Sequence, residues 1–363
     1  MAYSSVGRPV FYIDNYQYHK TIGTQMTTIG YDGVFGFVTP DNAPELFTLN
    51  PAIGKRLYDI TGDSDNVIHV PMPSSFMDYD LTGNMKTYIA VLNHNGVTNA
   101  GWGYQEALAD YPSYFQRTNS QSNAVEVLNG QWDGSWYQPL SGSSIVTGSD
   151  PIEGENFRVG LLNNSSLRVG AISTGIQYTM PHSPDLKLNM EIEMDGIDTT
   201  TTSGGGTISN VKYTGNPLWV NGNNRTNPFD VYGDEGLDVT QTGARRNGRK
   251  SWNLKFSYIS ETDLFSSNPK GGNYTEHPAD STYNDGDLSS GAQHSENTLA
   301  FNIETDDSFY AQVWNKTLGG ALPFIFQPNS NDNDDFYICR FDQNSLRVSQ
   351  SAYKVYDISV KIV

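Results

Sequence analysis

Between residues 185 and 197 the chain reads DLKLNMEIEMDGI, where Leu186, Leu188, Met190, Ile192 and Met194 alternate strictly with Lys187, Asn189, Glu191 and Glu193. A period of two places every apolar side chain on one face of an extended strand and every polar one on the other. A strand built this way must lay its apolar face against another layer. Two more runs repeat the pattern: Trp252, Leu254, Phe256 and Tyr258 in SWNLKFSY, and Tyr356, Ile358, Val360 and Ile362 in VYDISVKIV. Three half-buried strands predict an antiparallel sheet.

The remainder agrees with an all-β, mainly antiparallel chain. Gly (35), Tyr (22) and Phe (16) are abundant and only 17% of residues are charged, which suits strands joined by many turns. Thr87 to Leu92 is nearly all apolar, as expected of a central strand covered on both faces, and short runs such as NVIHV, KTYIAVL and AVEVL are separated by Gly, Asn and Asp clusters. These features predict an arm or first strand over 1–30 with no helical period, a jelly-roll-like sandwich over 31–156, and a β-barrel or sandwich over 157–363. One α-helix is expected at 305–318. Thr305 would cap it, Asp306 and Asp307 would favour its positive end, Phe309, Tyr310, Val313 and Trp314 would form its apolar stripe, and Lys316 with Gly319 and Gly320 would close it. In LPFIFQPNSNDNDDFYICRFD, residues 322–342, two apolar strands flank an acidic turn, with Cys339 as a small buried hydrophobe. Two stretches read as lacking structure of their own: Thr199 to Ser209 (TTTTSGGGTIS), and Ser266 to Asn297. If ordered, they require a neighbouring subunit.

Charge and cysteine content limit the function classes. A net charge of −18 removes the counterion-release drive for stable nucleic-acid binding. Cys339 stands alone, so an intrachain disulfide scaffold is excluded. No window approaches a membrane-spanning length and no basic n-region precedes an apolar stretch, so the expectation is a soluble protein made in a cytoplasm. The acidic clusters DSDN (63–66), NDGD (284–287) and NDNDD (331–335) lack the Gly and Glu spacing of an EF-type calcium loop and read as solvated turns, with an irregular calcium site as the alternative. His19, His69, His94, His182, His277 and His294 form no zinc-ligand spacing, and there is no nucleophile elbow, phosphate loop or dinucleotide fingerprint. The chain is therefore read as a non-enzyme without cofactor or metal.

Two surface features remain. Trp102, Trp132 and Trp136 lie in turn-rich segments, where exposed indoles would stack on sugar rings or lid a sandwich core. Arg245, Arg246, Arg249 and Lys250 form the only basic patch. It is either a solvated hairpin or half of a contact with an acidic patch on a second copy.

Several stretches resemble tail proteins of marine tailed bacteriophages: GAISTGIQYTMPHSPDLKLNMEIEMDGI (170–197), GGGTISNVKYTGNP (204–217), RRNGRKSWNLKFSYISETDLF (245–265), LGGALPFIFQP, FYICRFD and VYDISVKI, with FTLNP (47–51) and YIAVLNHNGVTNAG (88–101) similar to the N-terminal half of that group. The resemblance implies a virion structural protein of the distal-tail or tail-tip type. Such a protein is made in the host bacterial cytoplasm and forms a homo-oligomeric ring around the DNA channel, beside tube, hub or fibre proteins. An acidic lumen fits that role, because like charge keeps DNA from sticking. The rival reading is a carbohydrate-binding adhesin or receptor-recognition module that uses the three tryptophans.

Overall fold

A computed structural model describes residues 6–24, 36–50, 55–62, 66–71, 85–92, 113–118, 125–127, 144–148, 156–161, 168–186, 189–193, 197–211, 249–265, 306–332 and 336–363. The fold is all-β and mostly antiparallel, with a few short helical turns. A six-stranded antiparallel sheet runs in the order Tyr337–Cys339, Phe324–Gln327, Val10–Asp14, Ala171–Thr179, Met85–Leu92, Ser144–Gly148. A four-stranded antiparallel sheet follows the order Asn189–Glu193, Arg249–Ser260, Val355–Ile362, Arg347–Ala352. A third sheet of five strands joins Gly36–Val38, Asn66–Pro71, Asn156–Leu161, Ser113–Thr118 and Val125–Val127, its first pair parallel.

The six-stranded sheet takes strands from all three stretches distinguished in the sequence. Val10–Asp14 is central to it, with all five residues buried. Its close neighbour requires a glycine: a Cβ on Gly175 would lie 2.1 Å from the Ile13 carbonyl oxygen and 2.7 Å from the Asn15 nitrogen. Phe11 faces the four-stranded sheet among the rings of Phe326 (5.3 Å), Phe324 (5.5 Å), Phe309 (5.9 Å) and Phe341 (6.0 Å). Trp252, Leu254, Phe256, Ile358, Val360 and Ile362 close this core from the other side. The opposite face of the six-stranded sheet buries a second cluster that includes Val10, Tyr12, Tyr88, Ala90, Leu92 and Ile325.

The predicted barrel does not close. The sheets of the described residues keep free rims and pack face to face as a sandwich, and the chain changes sheet at Arg340. Cys339 pairs with Phe324 in one sheet, while Phe341 bridges Ile362 in the other. The strands flanking the acidic turn pair as expected, Phe324 with Cys339 and Phe326 with Tyr337.

Three local expectations are corrected. Residues Asn15–Ile22 form a helix, although the sequence there shows no helical period. Asp14 caps it by accepting from the Gln17 amide at 2.9 Å, Gly23 ends it at φ 78°, and burial of Tyr16, Tyr18 and His19 supplies the stabilisation that an apolar stripe would otherwise give. The predicted α-helix at 305–318 is instead a π-helical segment, Tyr310–Asn315. Phe309, Val313 and Trp314 are buried as expected, but so are Gln312, Lys316 and Thr317, and a segment buried nearly all round has no stripe to impose a 3.6-residue period. The chain then turns at Leu318, Gly319 and Gly320, all with positive φ.

The third correction concerns the alternating strands. In the first, the described strand is Asn189–Glu193, where Met190 packs against the core while Leu186 and Ile192 are exposed; Leu188 and Met194 lie outside the described residues. In the second, Trp252, Leu254 and Phe256 are buried, but a β-bulge between Phe256 and Ile259 shifts the register and buries Ile259 in place of Tyr258. Tyr258 sits at φ 65° and is 76% exposed. A left-handed conformation costs a non-glycine residue about 1 kcal/mol. Tyr258→Gly is expected to leave thermal stability unchanged or raise it by up to about 1 kcal/mol, and a loss beyond 1 kcal/mol in chemical denaturation would contradict the strain.

Candidate functional site

The most conspicuous exposed element is a hairpin of Ile197–Thr201 and Thr207–Val211. Its residues were expected to lack structure, yet β-branched threonines favour extended backbone on both sides of a glycine-rich turn. Thr202 closes the turn: its amide donates to the Gly206 carbonyl at 2.8 Å, and its hydroxyl donates to the same carbonyl at 2.9 Å and accepts from the Gly206 amide at 3.1 Å. Gly205 takes φ 80°, which a residue with a Cβ resists. Every residue from Asp198 to Ser209 is exposed, and Ile208 retains 56% of its accessible surface. Among the described residues, no third strand joins this pair. A two-stranded ribbon is marginal in water and needs a further strand or a packed face for independent stability.

The outer face of the four-stranded sheet is polar. The Lys255 ammonium lies 3.8 Å from both Asp185 and Asp357; Ser257 donates to Asp185 at 2.8 Å. Asp357 accepts from the Ser351 hydroxyl at 2.6 Å and from the Tyr258 amide at 3.1 Å, and these bonds hold its carboxyl below the usual range. Tyr258 therefore owes its exposed, left-handed position to this carboxylate. Arg347–Ala352 forms an open rim of the same sheet with mostly exposed side chains.

Of the predicted basic patch, Arg245 and Arg246 lie outside the described residues, and Arg249 opens the strand opposite Glu193. Lys250 is occupied within its own chain: it donates to the Tyr337 hydroxyl and stands 4.7 Å from the centre of that ring. Trp102, Trp132 and Trp136 also lie outside the described residues.

Two buried polar groups escaped sequence reasoning. On the second face of the six-stranded sheet, the Ser173 hydroxyl donates to Asp14 at 2.9 Å and meets the Tyr88 hydroxyl at 2.7 Å, while Tyr12 donates to Gln327 at 3.0 Å. Burial raises the Asp14 carboxyl to about 7 against four opposing hydrogen bonds. Between the Asn15–Ile22 helix and the π-helical segment, the fully buried Lys316 donates to Gln312 at 2.7 Å. Burial, and then the nearby Lys316, push His19 down to about 3. Asp14, Ser173 and Tyr88 are buried, and their hydrogen bonds tie three strands together. Among the described residues, no three His, Cys, Asp or Glu side chains are grouped to hold a metal ion, and no helix is long and apolar enough to cross a membrane.

Comparison with protein-family models, curated proteins and solved structures finds no match.

Proposed function

We propose that this chain is a structural protein of a bacteriophage tail, of the distal-tail or tail-tip type, which assembles with copies of itself into a ring around the DNA channel and contacts tube, hub or fibre proteins. The observation that carries this reading is the 197–211 hairpin, a two-stranded ribbon with exposed faces to which no other strand among the described residues is joined. A neighbouring copy would supply the missing packing. Two features support the reading: the resemblance of the quoted stretches to tail proteins, and a net charge of −18, which suits a lumen that DNA must pass.

The test is the mass of the purified protein in solution, together with electron micrographs. The expected result is closed annuli of many copies; a monomer that persists at every concentration and binds glycan would replace this reading by the adhesin. Ile208→Asp tests the hairpin itself. Because Ile208 is 56% exposed, the substitution should change monomer stability by no more than about 0.5 kcal/mol. Losing a buried isoleucine at an interface is worth about 1.5–3 kcal/mol, so assembly measured by sedimentation should weaken by about tenfold or more.

A further inference from the structure

Arg347–Ala352 is the outermost strand of the four-stranded sheet. Among the described residues it is paired on one side only, by Val355–Ile362, and all of it except Val348 is exposed. A bulge between Gln350 and Ala352 leaves Arg347–Gln350 as its flat part, roughly 13 Å of strand. Alternate backbone groups along such a rim point outward and accept a further strand unless something blunts them. Lysine, proline and inward-pointing charge are the usual means, and RVSQSA contains none of them. Its single charge, Arg347, lies opposite Ser359, which in turn lies opposite Lys255, so the guanidinium belongs to the polar outer face. On that face Lys255 pairs with Asp185 and Asp357, and Lys361 with Asp342, whereas Arg347 makes no ion pair among the described residues.

The 197–211 hairpin has the complementary features. Its two strands are five residues each, are joined to no other strand among the described residues, and are exposed from 198 to 209. Its single charge, Asp198, stands opposite Asn210 near the base of the ribbon and also makes no ion pair among the described residues. A ribbon laid along the rim with its base at Arg347 satisfies both backbone edges, sets the carboxylate on the guanidinium, and brings the Thr202–Gly206 turn beside the exposed Tyr353. The reverse orientation carries Asp198 towards Ser351 and leaves both charges without a partner. The two surfaces differ, so each copy gives one and receives the other, as closure into a ring requires.

We infer that the 197–211 hairpin of one copy adds to the Arg347–Ala352 rim of the next, with Asp198 on Arg347, so that the four-stranded sheet continues from copy to copy. The inference rests on the ring reading and names the surface that receives the hairpin.

The test places a photo-crosslinking phenylalanine at the exposed position 349 and mixes isotopically heavy and light copies before irradiation. Mass spectrometry should find position 349 of one copy joined to a peptide from 197–211 of another. Arg347→Asp and Asp198→Arg each set like charges against one another, so each should lower the yield of that product, and the assembled fraction in sedimentation, by about tenfold. The chain carrying both substitutions should regain both. The monomer melting temperature, which exposed side chains do not set, should stay the same in all three. Assembly in which position 349 links to another segment, or a yield that ignores the single reversals or is not restored by the double one, overturns this contact and leaves the ring standing. Unmodified protein that never assembles overturns the ring and the contact together.

Discussion

Phe11→Ala is expected to cost about 3–5 kcal/mol, the largest single effect on this fold. The ring is fully buried between the two main sheets and touches four other phenylalanines drawn from positions 309, 324, 326 and 341. Truncation removes its transfer energy and leaves a void that rings held from several elements cannot collapse to fill. A stability of 5–15 kcal/mol is typical, so the variant should melt far below the unsubstituted protein. Urea unfolding checks the value. A loss below 1 kcal/mol would mean that the N-terminal strand does not sit in the centre of the sheet.

The second large effect is a pH dependence centred on Asp14. Burial lifts its carboxyl from 3.8 to about 7 in the folded chain, against hydrogen bonds from Gln17 and Ser173. Because the folded value exceeds the unfolded one, the native state keeps the proton over the window between them. Stability is therefore highest below about 3.8 as far as this group is concerned, falls as pH rises through the window, and reaches its full penalty above about 7. The shift corresponds to about 4 kcal/mol. Asp14→Asn mimics the protonated side chain without titrating. Its stability relative to the unsubstituted protein should improve between about pH 5 and about pH 8, by most of that amount. His19, held neutral by burial, loses its own contribution to stability as pH falls from about 6.5 towards about 3, but it does so in both proteins and cancels in their difference. Denaturant midpoints for both proteins across the range decide the matter, and parallel curves would refute the buried carboxyl.

Much of the architecture was legible in the alternating runs. Period-two patterns at Trp252 to Phe256 and at Ile358 to Ile362 placed the correct side chains in the core because each strand has one wet face. The same rule failed at Tyr258, where a bulge inserts a residue and reverses the alternation. The device is set by Asp357, 99 residues away, so no local pattern announces it. Lys316 was read as closing a helix with Gly319 and Gly320, whereas the fold encloses it beside Gln312. The 197–211 hairpin could have been found: the threonine run Thr199 to Thr202 before Ser-Gly-Gly-Gly, and Thr207, Ile208 and Val211 after it, carry β propensity and a turn, a signal masked by low complexity.

Amide hydrogen exchange over residues 198–210, measured on dilute and concentrated protein, tests most directly whether a sibling copy completes the hairpin. The account predicts rapid exchange in the dilute chain and strong protection once particles form, with Ile208→Asp remaining unprotected at both concentrations. Equal, rapid exchange in the monomer and in any assembled form would contradict it.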